Sequence, residues 1–191
     1  MSTLTTTEPQ RIHPHRFIMW VAIGSIVMMF AGMTSAYIVK KNQGNWLAFE
    51  LPVVFWYSTA VILASSLTIY LANVALKAGK LVPYKLLITI TSILGILFVK
   101  MQWTGFQDLE MRGIALIGTQ SNSSSSFLFI ITGMHMLHVL GGVVALIALF
   151  FRSFWLKKDQ LSLVPVQIVA TYWHFVDILW IYLFIFFHLI A

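Results

Sequence analysis

Five uninterrupted apolar runs dominate the chain, at roughly 17–39, 53–76, 84–104, 126–151 and 166–190. None alternates polar and apolar positions, so none reads as a lipid-facing strand. Each reaches the length of about 20 residues that a helix needs to cross a bilayer. In lipid every backbone group must find its partner within the protein, which leaves helices as the elements that such runs can form. The pattern predicts an all-α integral membrane bundle of five transmembrane helices. The prolines agree with it. Pro9, Pro14, Pro52, Pro83 and Pro165 all fall outside the runs, and three of them directly precede one. A missing N–H and a fixed φ are best tolerated there.

A polar segment, 1–15, comes before the first run. The apolar stretch after Arg16 is far longer than the about 7–15 residues of a signal-peptide core, so it reads as a retained first span. The connections are short except for 105–125. Its glycines (Gly105, Gly113, Gly118) and the run Ser121-Asn122-Ser123-Ser124-Ser125-Ser126 read as a surface loop. Lys and Arg set the orientation. Arg11, Arg16, Lys77, Lys80, Lys85, Arg152, Lys157 and Lys158 fall on one side, and Lys40, Lys41, Arg112 and Lys100 towards the other. By the positive-inside rule the N-terminus is cytoplasmic and the C-terminus outside.

Composition narrows the class further. Of 191 residues, 59% are apolar and 9% charged, against about a quarter charged in a soluble domain. Five spans and short loops leave no room for a soluble catalytic domain. The absence of cysteine removes thiolate metal sites, iron–sulfur clusters and cysteine nucleophiles together. The net charge of +6 sits at span ends, where it faces phospholipid head groups rather than nucleic acid. No nucleophile–base arrangement and no Gly-rich phosphate loop can be found.

The chemistry therefore lies in the polar residues within the runs: His135, His138, His174 and Asp177. Each costs about 2.5–3.5 kcal/mol at mid-membrane on insertion scales and so calls for a reason. His135 and His138 share one helix face, as do His174 and Asp177; Gln167 and Thr171 extend the second group. At about 1.5 Å per residue both pairs lie at similar depth, so they are expected to face a shared buried polar region. Asp177 is expected to be held by His174 or His138. Lys100, near the end of its span, is expected to snorkel. Three readings of the histidines stay open: a hydrogen-bonded cluster joining helices, a lipid-headgroup or proton-conducting water site, and haem ligation. Against the last, His174 and His188 would space two haems by about 21 Å, but no matching pair exists on a second helix. Only one intramembrane carboxylate is available to a metal.

The run Tyr172-Trp173-His174-Phe175-Val176-Asp177-Ile178-Leu179-Trp180 closely resembles the last-helix signature of the cytochrome c oxidase subunit III family. The run Thr132-Gly133-Met134-His135-Met136-Leu137-His138-Val139-Leu140-Gly141-Gly142 is similar to the helix before it. Weaker stretches follow in the family's order. They contain Phe30-Ala31-Gly32 and Ser35-Ala36-Tyr37, then Ser65-Ser66, then Leu94-Gly95-Ile96-Leu97-Phe98 with Gln102. The resemblance covers nearly the whole chain from Arg16 onward, and it is to the shorter, five-helix bacterial form.

It implies a subunit of a haem–copper terminal oxidase in the bacterial cytoplasmic membrane. Such a subunit has no catalytic residues, cofactor or metal of its own. The haems and copper belong to partner subunits, chiefly the catalytic subunit I. The resemblance implies bound phospholipid and support of proton uptake and durability during turnover. The residues that match the family's polar positions are Arg16, His135, His138, Trp173, His174 and Asp177. At three positions where many members carry glutamate, this chain has Ile26, Gly105 and Gln167. Two alternatives are a haem-bearing quinone-reactive membrane anchor and a transporter component. The transporter is disfavoured by the lack of an internal repeat or of paired broken helices.

Overall fold

The computed structural model describes residues 14–42, 51–114, 123–155 and 162–190. Most of the polar segment 1–15, including Arg11, lies outside them, as do Lys157, Lys158 and Ser121-Asn122. The fold is all-α: α1 (Pro14–Lys41), α2 (Val54–Lys77), α3 (Leu81–Met111), α4 (Ser123–Trp155) and α5 (Leu163–Ile190). Among the described residues there is no strand. All five helices are long and apolar enough to cross a membrane. Pro14, Pro83 and Pro165 sit in first helical turns, where the missing N–H would have had no intrahelical partner.

Two helix ends are set by glycine. After α2, Gly79 adopts φ +70°, the Gly79 N–H donates to Leu76 O and the Lys80 N–H to Ala75 O, both at 3.0 Å. After α3, Gly113 adopts φ +82°, and the Gly113 and Ile114 N–H groups donate to Glu110 O and Leu109 O, again at 3.0 Å. Both are Schellman closures, in which a left-handed glycine lets orphan carbonyls find donors. The second is completed by the buried pair Ile114 and Leu109.

The loop expected over 105–125 is corrected at both edges. Helix α3 continues to Met111 and α4 has begun by Ser123. The apolar signal stops near 104 because Gln107, Asp108 and Glu110 follow, yet the helical hydrogen bonds continue past it. Gly105 is a helix residue against which the Phe55 ring packs; a Cβ there would lie 2.5 Å from Phe55 Cε1. Ser124 and Ser125 are buried rather than displayed at the surface.

Inter-helix ties fix the directions. The Gln102 Nε2–H donates to Ser58 Oγ (3.0 Å) and Thr68 bonds Thr91 (2.8 Å), so α2 and α3 are antiparallel. The Trp180 Nε1–H donates to Thr59 Oγ1 (2.9 Å) and the Trp173 Nε1–H to Ser65 Oγ (3.1 Å), which makes α5 antiparallel to α2. The α1–α5 contacts, Arg16 with Gln167, Thr34 with Tyr182 and Lys41 with Ile190 O, run in parallel register.

Helix α5 is the most buried of the five and α1 the least. At the centre, Trp173 is fully buried and wedged between two glycines. A Cβ at Gly142 on α4 would lie 2.9 Å from its Cε3 and Cζ3, and one at Gly95 on α3 would lie 3.1 Å from its Cη2. Small residues let transmembrane helices close up where no hydrophobic effect drives them together. Here they admit one indole that ties four helices. The outward faces carry large apolar side chains such as Trp20, Met28, Leu67 and Ile178, a surface suited to lipid or to apolar partner subunits.

Candidate functional site

The six residues singled out from the sequence fall into three environments. His135 is 1% exposed. Its ring stacks on Trp180 of α5 (centroids 5.4 Å apart, planes at 26°) and meets the edge of Phe30 of α1 at 6.5 Å. Neither of its nitrogens has a hydrogen-bond partner among the described residues. His138, one turn on, is half-buried. Its Nδ1–H donates to the Met134 carbonyl at 2.7 Å, and its own carbonyl accepts the Tyr172 hydroxyl at 3.0 Å.

Across α5, His174 turns away from α4. Its Nδ1 shares a 2.6 Å hydrogen bond with Ser66 Oγ on α2. Asp177 is 2% exposed and neither carboxyl oxygen has a partner among the described residues. Ser66 is the polar side chain beside it, and its hydroxyl is shared with His174 Nδ1. The expectation that His138 or His174 holds Asp177 is therefore corrected. The two histidine groups are not joined by hydrogen bonds. His138 is satisfied by its own helix and His174 by α2, a helix the polar-stripe reasoning left out.

Arg16 and His174 belong instead to an open pocket of about 440 Å³ between α1, α2 and α5. Its wall on α2 is a stripe at helical spacing, Tyr70, Asn73 and Lys77; the α5 wall carries Gln167, Thr171 and His174. The Arg16 guanidinium donates to Gln167 Oε1 at the mouth. Lys77 brings a second cation, and among the described residues no carboxylate lines the pocket. One Asn73 side-chain oxygen is buried without a partner among the described residues. Sequence reasoning missed Asn73 and Lys77. The signal was present, since Ser66, Tyr70, Asn73 and Lys77 recur at intervals of four, three and four, one face of a helix.

Chemically the pocket is an anion acceptor opening onto an apolar exterior. A paired guanidinium and ammonium suit a phosphate, and helices α1 and α2 offer apolar flanks for acyl chains. Among the described residues no group of three or more His, Asp or Glu could hold a metal ion.

Comparison with known proteins gives a consistent result. A family model for cytochrome c oxidase subunit III matches residues 45–191. The probable cytochrome c oxidase subunit 3 of Nocardia farcinica is 33% identical over 191 aligned residues, covering 92% of this chain and 90% of its own. That of Corynebacterium diphtheriae is 30% identical, covering 93% and 91%. The cytochrome bo(3) ubiquinol oxidase subunit 3 of Buchnera aphidicola is 25% identical, covering 91% and 92%.

Proposed function

The chain belongs to the cytochrome c oxidase subunit III family, and from its being subunit III of a haem–copper oxidase, partnered with that oxidase's catalytic subunit, we propose that it works by holding anionic phospholipid at the Arg16–Lys77 pocket. Lipid held there stabilises the catalytic subunit and sustains proton uptake during turnover. The observation that carries this reading is the pocket between α1, α2 and α5, with two cations and, among the described residues, no carboxylate. Gln167 strengthens it. A glutamate at that position would neutralise Arg16, whereas the amide leaves both positive charges for a phosphate.

The buried polar residues divide between two roles. Trp173, with Ser65 and the two glycines, is a packing joint. Asp177 and His135, whose side-chain polar atoms lack partners among the described residues, are the groups available to water or a proton. The proposed placement is the bacterial cytoplasmic membrane, with the spans at 17–39, 53–76, 84–104, 126–151 and 166–190 in the hydrocarbon. The basic pocket then faces the cytoplasmic leaflet, where anionic lipid and the proton supply both lie.

The test is a double variant, Arg16→Ala with Lys77→Ala, in the intact oxidase. Each basic side chain near an anionic surface contributes about 1 kcal/mol, so losing both should reduce retained phosphatidylglycerol about thirtyfold. The oxidase should also inactivate sooner under turnover. Unchanged lipid retention by mass spectrometry would rule the pocket out as the lipid site.

A further inference from the structure

A second groove, of about 430 Å³, runs between α3 and α4 at the end of the bundle opposite Arg16. We propose that it holds one acyl chain of a zwitterionic aminophospholipid, with the ammonium group met by Glu110.

Three observations carry this. The first is Gly133, on the groove wall. Glycine within a helix is less stable than alanine by about 0.5–1 kcal/mol. At Gly95, Gly105 and Gly142 a neighbour within the chain explains the glycine, but a Cβ at Gly133, like those at Gly24 and Gly32 of α1, would meet nothing within 4 Å. The open space it leaves widens the groove.

The second is shape. The α4 wall runs from Phe129 to Leu140, about 16 Å at the helical rise, so the groove is elongated along the helix axis. A long apolar groove of this kind suits a flexible hydrocarbon chain. Phe106 and Phe129, with centroids 5.5 Å apart, form an apolar floor.

The third is the charge at the head of the groove. Trp103, Gln107 and Glu110 lie on one stripe of α3 and line it. Lys100, exposed one turn below Trp103, continues the stripe. Trp103 is 63% exposed, as expected of an indole at the membrane interface. Lys100 snorkels upward towards a phosphate, while Glu110 and the Gln107 amide accept from a primary ammonium beyond it. The polarity is the reverse of the Arg16–Lys77 pocket, where no carboxylate among the described residues could receive an amine.

The experiment is native mass spectrometry of the intact oxidase after exchange in detergent micelles doped with dioleoyl phosphatidylethanolamine, phosphatidylcholine or phosphatidylglycerol. The wild type should retain phosphatidylethanolamine over the other two at this groove. Gly133→Leu fills the channel and should lower that retention at least about tenfold. Glu110→Gln leaves the fold alone and should lower it up to about fivefold, the upper range for an exposed ion pair. Arg16→Ala with Lys77→Ala should leave it unchanged while lowering phosphatidylglycerol retention about thirtyfold, so failure of either lipid site is seen separately. Equal retention of all three lipids, or no effect of Gly133→Leu, would overturn the proposal. So would cross-linking of a photoreactive residue at 133 to a neighbouring subunit rather than to lipid.

Discussion

Gly141 and Gly142 are consecutive residues of α4, and the packing around Trp173 predicts opposite results for the same substitution at each. A Cβ at Gly142 would sit 2.9 Å from two indole carbons and 3.4 Å from Tyr172 Cε1. The indole cannot recede, because its far edge already abuts Gly95 and its Nε1–H is tied to Ser65. Overpacking of this kind costs about 1–3 kcal/mol. The gain from replacing a helical glycine by alanine, about 0.5–1 kcal/mol, offsets part of it. At Gly141 the nearest atom to the new methyl would be the Tyr172 hydroxyl oxygen at 3.9 Å, an ordinary contact, so only the gain remains. Gly142→Ala should therefore lower, and Gly141→Ala slightly raise, the temperature at which this subunit leaves the detergent-solubilised oxidase. The two variants should differ by about 1–3 kcal/mol. Equal shifts for both would refute the view that Trp173 is a close-packed joint.

Ser65→Ala leaves the buried Trp173 N–H without an acceptor and should destabilise the subunit by about 1–3 kcal/mol, read in the same dissociation assay. Gly105→Ala drives a methyl into the Phe55 ring and should weaken the α2–α3 hairpin by about 1–3 kcal/mol, measured as faster proteolysis of that hairpin. Asp177→Asn breaks no hydrogen bond among the described residues. Its retention on the oxidase should match wild type while the enzyme's working life shortens; unchanged working life would remove Asp177 from any proton role.

Much of the architecture was legible because lipid imposes a simple rule. A continuous apolar run must be a helix, and prolines mark the first turns. The helix ends were less legible. Hydropathy reports where lipid stops, and α3 continues beyond that point through Gln107, Asp108 and Glu110. Gly113 carried the true signal, since its left-handed turn closes the helix. The polar residues within the spans could be picked out from the sequence, but their partners could not. His174 bonds Ser66, and Trp173 bonds Ser65, through a helix whose serines look unremarkable in a strip of apolar sequence. Asp177 shows the opposite failure. Sequence spacing placed it near His174 and His138, yet helix rotation and competing acceptors leave its carboxyl without either. The pocket wall of Tyr70, Asn73 and Lys77 was visible as a period but lacked a partner face until α1 and α5 were set beside it.

The most direct test of the central claim is affinity purification of this chain from membranes in mild detergent, with a visible spectrum of the eluate and of the chain after separation. A haem-containing catalytic subunit should co-purify, and the separated chain should show no Soret band. A Soret band on the separated chain itself, or an eluate without haem-bearing subunits, would contradict the account.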